Sequence, residues 1–266
     1  MADNLWSTDF SVDKFYRHSG FSSTILTSFS APSTGNHGIS SDGTNLYATD
    51  SGTDKVYKYS GFTSSISDSF SSPSTTPRDI TWDGVRIYTC DSTSTKIYKH
   101  TGFSSTVVDS FSSPDTGTRG LSTDSVNVFS TDATSDKIYK HSGFSSSILD
   151  SFSSPSTNPY GISFDGTNYY SSDNTTDKLY KHSGFSTTIL DSFSSPSSTP
   201  HAIEWENSAT RNNVKIVSPS VLTITTSVPD PTVFNRVISI NNSITIKTNA
   251  LRVAELSSFA KGIIFV

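Results

Sequence analysis

The chain repeats itself with a constant step of 41 residues. Tyr16, Tyr57, Tyr98, Tyr139 and Tyr180 keep this spacing. So do the glycines of the Gly-Phe pairs (Gly20, Gly61, Gly102, Gly143, Gly184) and the prolines Pro32, Pro73, Pro114, Pro155 and Pro196. Five copies without an insertion or deletion require one supersecondary unit stacked on itself. In the fifth copy four strand-like segments cover 161–164, 168–172, 178–182 and 187–193. Asp165-Gly166, Asp173-Asn174 and Ser183-Gly184 separate them. The segments are β-branched or aromatic. In the third, Leu179 and Lys181 alternate with Tyr180 and His182, the period of a strand. No segment of the repeat carries a 3.6-residue apolar period. The fold class is therefore all-β. Four strands in about 40 residues make one blade of a β-propeller.

An open solenoid is the rival architecture, and closure separates the two. The first copy begins at Leu5-Trp6-Ser7-Thr8-Asp9, which aligns with the second strand of the next copy, Leu46-Tyr47-Ala48-Thr49-Asp50. It lacks a first strand, and an orphan first strand follows the fifth copy at 201–206. A propeller closes by uniting such ends, which removes exposed sheet edges. The expectation is a five-bladed ring over 1–206, closed by 201–206. A sixth blade would have to come from residues after 207, which lack the Tyr-Lys-His-Ser-Gly-Phe signature.

The segment Leu46-Tyr47-Ala48-Thr49-Asp50-Ser51-Gly52-Thr53-Asp54-Lys55-Val56-Tyr57-Lys58-Tyr59 resembles the NHL and YWTD classes of propeller repeat. The resemblance implies a propeller. It implies little chemistry, since those classes include enzymes and scaffolds. Near-identical copies also resemble the duplicated repeats of adhesive and virion proteins, and five equivalent blades resemble the tachylectin-type lectins in architecture. Residues 217–233, Ser/Thr/Pro-spaced, are similar to segments of bacteriophage tail and virion proteins.

Hydrophobic residues make up only 32% of the 266 residues, which a repeat fold tolerates because each strand needs few apolar positions. The net charge of −5 argues against nucleic-acid binding. No apolar run is long enough to span a membrane. Cys90 is the single cysteine and reads as a small buried strand residue. The start of the chain carries no cleavable leader pattern, so the expected location is a virion or an extracellular assembly reached by another route.

Composition shifts after residue 206. Residues 1–206 carry 13 basic and 22 acidic side chains, a net of −9, whereas 207–266 carry 6 and 2, a net of +4. The second segment reads as a β-rich attachment or oligomerisation tail, with a hairpin over Asn241-Asn242, strands in 214–226 and an apolar tip at 262–266. Opposite charge suits docking on a propeller, its own or a neighbour's, and the expected partners are other subunits of the virion or assembly.

Positions that vary between copies mark the candidate ligand site. The residue before the first strand reads His37, Arg78, Arg119, Tyr160 and His201; the residue at that strand's far edge reads Ser41, Trp82, Thr123, Phe164 and Trp205. By family resemblance ligands enter a propeller at the channel mouth. His37, Arg78, Arg119, Tyr160, His201, Trp82, Phe164 and Trp205 are therefore expected to line one mouth. Arg forks and aromatic faces suit carboxylates and sugar rings; neutral drift at exposed loops would produce the same variation. The Asp pairs Asp9/Asp13, Asp50/Asp54, Asp132/Asp136 and Asp173/Asp177, with Thr95 breaking the series, read as turn chemistry rather than a calcium site. His18, His100, His141 and His182, with Tyr59 in the second copy, read as polar strand-end residues on separate blades.

No nucleophile elbow, zinc-binding or phosphate-loop pattern occurs. The carboxylates recur in equivalent places, whereas an active site breaks such symmetry. The expected function is a non-enzymatic structural or attachment protein, oligomeric, binding surface glycans, without cofactor or metal. The alternatives are a metal-dependent, lactonase-like propeller hydrolase or lyase and an intracellular protein-binding scaffold.

Overall fold

The computed structural model describes residues 4–206, all of whose regular elements are strands. The first blade holds β1 (Asn4–Asp9), β2 (Lys14–Ser19) and β3 (Ile25–Ser30). The second holds β4 (Asn36–Ser41), β5 (Leu46–Asp50), β6 (Lys55–Tyr59) and β7 (Ile66–Ser71). The third holds β8 (Pro77–Trp82), β9 (Ile87–Asp91), β10 (Lys96–His100) and β11 (Val107–Ser112), and the fourth β12 (Thr118–Thr123), β13 (Val128–Asp132), β14 (Lys137–His141) and β15 (Ile148–Ser153). The fifth holds β16 (Pro159–Phe164), β17 (Tyr169–Asp173), β18 (Lys178–His182) and β19 (Ile189–Ser194), and β20 (Pro200–Glu206) follows. Strands within a blade are antiparallel neighbours in chain order. The strands and turns expected after residue 206 lie outside the described residues.

β20 supplies the missing first strand of the first blade. The Ala202 N–H donates to Thr8 Oγ1 at 2.8 Å. The same bond joins Gly38 to Thr49, Gly120 to Thr131 and Gly161 to Ser172. The Phe10 N–H reaches the Thr199 carbonyl, as Ser51 reaches Gly35, Ser92 reaches Thr76, Ala133 reaches Gly117 and Asn174 reaches Asn158. Glu206 adds side-chain bonds: its carboxylate accepts from Asn4, Trp6 and Arg17.

Among the described residues there is no single core. Five apolar clusters each lie between neighbouring blades, and one joins Leu5 of β1 to Tyr170, Leu179 and Ile203. The repeated Gly-Phe supplies the ring that crosses the seam. Phe62 stands edge-to-face on Phe29, Phe103 on Phe70, Phe144 on Phe111 and Phe185 on Phe152, with centroids 4.8–4.9 Å apart. Edge-to-face packing satisfies the ring quadrupoles.

The first strands start two residues earlier than the sequence indicates and carry a bulge. In the fifth blade Pro159 pairs with Asp173 but Ile162 pairs with Ser171. The ladder thus skips Tyr160-Gly161. The same shift falls between Asn36 and Ile39, Pro77 and Asp79, and Thr118 and Leu121. A bulge re-aims the residues it ejects. Here those residues include His37, Arg78, Arg119 and Tyr160.

Candidate ligand site at the channel mouth

The bulges bring His37, Arg78, Arg119, Tyr160 and His201 together. His201 stacks on Tyr160 with centroids 4.2 Å apart and meets His37 edge to edge, the two imidazoles nearly parallel with centroids 4.7 Å apart. Phe10 lies against both imidazoles at 5.0 and 4.9 Å. The Arg119 guanidinium sits over the Tyr160 ring at 5.3 Å. The result is a continuous aromatic surface with two guanidiniums beside it.

Hydrogen-bond donors fix the imidazole tautomers. Arg78 Nη1 donates to His37 Nε2 at 2.9 Å, and arginine has no acceptor, so Nε2 is bare. The His37 proton therefore sits on Nδ1 and is donated to His201 Nδ1 at 2.6 Å. His201 then carries its proton on Nε2, 3.5 Å from the Asn174 side-chain nitrogen, itself a donor, so the two do not bond to each other. Both rings are neutral. Burial lowers His37 to about 2, helped by His201, Arg78 and Arg119; burial and the two arginines lower His201 to about 3. The positive charge of the mouth therefore resides on Arg78 and Arg119. Arg78 is anchored by Ser92 Oγ at 2.9 Å, and burial together with Arg119 holds it below its usual range. Arg119 Nε and Nη1 are buried without a hydrogen-bond partner among the described residues.

Trp82, Phe164 and Trp205 stand elsewhere. Each sits near the opposite end of its first strand, four residues from the mouth position, and a strand rises about 3.3 Å per residue. Trp82 stacks on Tyr47, Phe164 on Tyr169 and Trp205 on Tyr170. These three belong to the seams between blades at the channel's other end.

Two channel residues were missed. Asp79 occupies a position held elsewhere by Gly38, Gly120, Gly161 and Ala202; Glu204 occupies one held by Ser40, Thr81, Ser122 and Ser163. Each is a carboxylate without a repeat equivalent, which corrects the expectation that the carboxylates recur. Asp79 accepts three main-chain N–H bonds. Glu204 accepts from Ser40, Ser41 and Ser163 at 3.2–3.4 Å, and burial raises it to about 7. Phe10, where the other copies have Ser51, Ser92, Ala133 and Asn174, was missed too. Comparing every repeat position, rather than the strand ends alone, finds all three.

The remaining candidates are structural. Asp9, Asp50, Asp91, Asp132 and Asp173 each cap their turn through Oδ1, as Asp91 does for Thr93 and Ser94. Asp13, Asp54, Thr95, Asp136 and Asp177 hold φ of 49–55°. Among the described residues no group of three His, Cys, Asp or Glu side chains could hold a metal ion. His18, His100, His141 and His182 are fully buried. Each bridges a hydroxyl on the second strand (Ser7, Thr89, Ser130, Ser171) and a loop carbonyl. Where Tyr59 replaces the histidine, the hydroxyl is gone too, and Ala48 makes room. Cys90 is buried in β9 beside Asp79, its thiol directed at the Arg119 carbonyl.

No family model and no curated protein matches the chain. Among solved structures it resembles a chain in the crystal structure of a nidogen/laminin complex. The TM-score is 0.56 at 16% identity, over 77% of this chain and 98% of that one. Myxococcus xanthus glutaminyl cyclase gives 0.49 at 10% identity, over 70% and 77% of the two chains. A streptogramin B lyase structure gives 0.47 at 16%, over 76% and 69%. At such identities the nidogen/laminin likeness shows the propeller fold alone.

Proposed function

We propose that this five-bladed propeller is a non-enzymatic attachment protein whose channel mouth captures a carboxylate-bearing sugar of a surface glycan. One observation carries the reading: Arg119 presents two buried, unpartnered N–H donors beside Arg78 and over an aromatic surface. Unpaired buried donors are costly. A carboxylate that reaches Arg119 relieves part of that cost through a charge-assisted hydrogen bond, while the exposed Phe10 ring suits a sugar face. Asp79 and Glu204, which a hydrolase would enlist, already use their oxygens on blade N–H and hydroxyl groups. The charge contrast between 1–206 and 207–266 supports a tail that joins other subunits of an extracellular or virion assembly.

A glycan array carrying uronic- and sialic-type acids beside their neutral counterparts tests this. Retention of the acidic set, with a ten- to hundredfold loss in Arg119→Gln, is the expected result. Equal retention of both sets, or binding indifferent to Arg119, overturns it.

A further inference from the structure

Directly below the mouth, three blades aim main-chain N–H groups at one point. Ile39 of β4 and Ile80 of β8 donate to Asp79 Oδ1 at 3.3 and 2.8 Å, and Leu121 of β12 donates to Oδ2 at 2.7 Å. Ile39 and Leu121 stand where the ladder resumes after a bulge, and Ile80 stands one residue beyond its own. The space around them is narrow. A Cβ on Gly38 would stand 2.6 Å from Asp79 Cα, and one on Gly161 would stand 2.7 Å from the His201 carbonyl oxygen. The equivalent positions are accordingly Gly38, Gly120, Gly161 and Ala202, so Asp79 is the one long side chain of its layer.

We propose that the middle of the channel is a seat for a small planar monoanion, built from the N–H groups of three blades and occupied in this protein by its own Asp79 carboxylate. Converging main-chain N–H groups form anion sites; here burial and the nearby Glu204 push Asp79 above the usual carboxylate range, and the Leu121, Ile80 and Ile39 N–H groups favour the carboxylate against them. A water in that place would meet three donors with two lone pairs, whereas a carboxylate has four acceptor positions. Asp79 thus closes the channel to anions and confines a bound ligand to the Arg78–Arg119 mouth. The seat is independent of what the mouth binds.

Asp79→Gly installs the residue of three equivalent blades and vacates the seat. Its thermal midpoint is expected to fall by several degrees, and sodium formate is expected to restore at least half of that loss saturably. The wild type in formate, and both proteins in sodium sulfate at equal ionic strength, give the general salt effect to be subtracted. Asp79→Asn, which keeps the seat filled, should lose stability without responding to formate. Equal formate shifts in the wild type and Asp79→Gly overturn the proposal. So does an Asp79→Gly protein as stable as the wild type in the absence of anion. If Asp79→Gly is insoluble, refolding in formate decides: recovery in formate alone supports the seat, and failure with and without it overturns it.

Discussion

Phe21 of the first blade stands edge-to-face on Phe193 of the fifth, with centroids 4.8 Å apart at an interplanar angle of 70°. The four other seams repeat this pair with angles of 71–78°. The seam joining the two ends of the repeat array is therefore built like the seams the chain makes in sequence. Phe21→Ala should cost about 2–4 kcal/mol, the range for a large aromatic discounted for partial burial. Phe103→Ala should cost about the same. Urea denaturation of the two variants checks this; a much smaller loss at Phe21 would mean that the ring is weak at its junction.

Acid should weaken the fold through its buried histidines. Burial lowers His18, His100, His141 and His182 to about 4, against an ordinary value near 6.5. The folded state thus holds fewer protons than the unfolded chain between those values. The stability is fully present above pH 6.5 and is lost as pH falls toward 4. Each site contributes on the order of 3 kcal/mol to that loss. His37 and His201 are lowered too, so transplanting the second blade's solution as Ser130→Ala with His141→Tyr should remove about one sixth of the histidine contribution to the pH 6.5-to-4 slope, as read from urea midpoints across pH.

Glu204 should act in the opposite direction. Its pKa near 7 lies above the ordinary 4.5, so the folded state holds the extra proton between those values, and stability declines as pH rises through that window. Glu204→Gln keeps an acceptor and a donor in place without charge. It should stabilise the protein at pH 8 by roughly 1–3 kcal/mol and have little effect at pH 4.5. Denaturant midpoints at the two pH values distinguish the outcomes.

Two turns hold the wrong residue for their backbone. Ser125 has φ 71° where Gly43, Gly84 and Gly166 have 85–100°, and Thr95 has φ 53° in a series otherwise filled by aspartates. Left-handed backbone disfavours L-residues, β-branched ones most. Ser125→Gly and Thr95→Asn should each stabilise by roughly 0.5–1 kcal/mol, additively because the turns are on different blades. Thermal melts of the single and double variants test both claims.

Anion capture at the mouth should be insensitive to pH between 5 and 8. His37 and His201 stay neutral there, the guanidiniums are cationic throughout, and Tyr160, Cys90 and Asp91 also act on Arg78. Calorimetric titration of a uronic acid oligosaccharide at pH 5, 6.5 and 8 should return one affinity within about twofold. An affinity rising steeply toward pH 5 would mean that the imidazole pair takes a proton with the ligand.

The blades were legible because Gly-Phe, the turn aspartates and the strand tyrosines recur in register, each forced by the same packing in every copy. The missing strand before Leu5 and the orphan strand ending at Glu206 also made the ring readable. The bulges were not legible. They arise where neighbouring first strands crowd the axis, a tertiary demand with no local signature beyond the small residues at 38, 120, 161 and 202. Without the bulge, the residue before the strand and the residue at its far edge look equally placed to line one opening. That is why Trp82, Phe164 and Trp205 were grouped with Arg119, although they seal seams at the other end.

The bulges also separate what the ring must keep from what it can change. A residue expelled from the hydrogen-bonding ladder can be exchanged without loosening a strand, so His37, Arg78, Arg119 and Tyr160 are four addresses on a fixed frame. A chain that copies its blades faithfully can still acquire a new partner through one codon at one of these points.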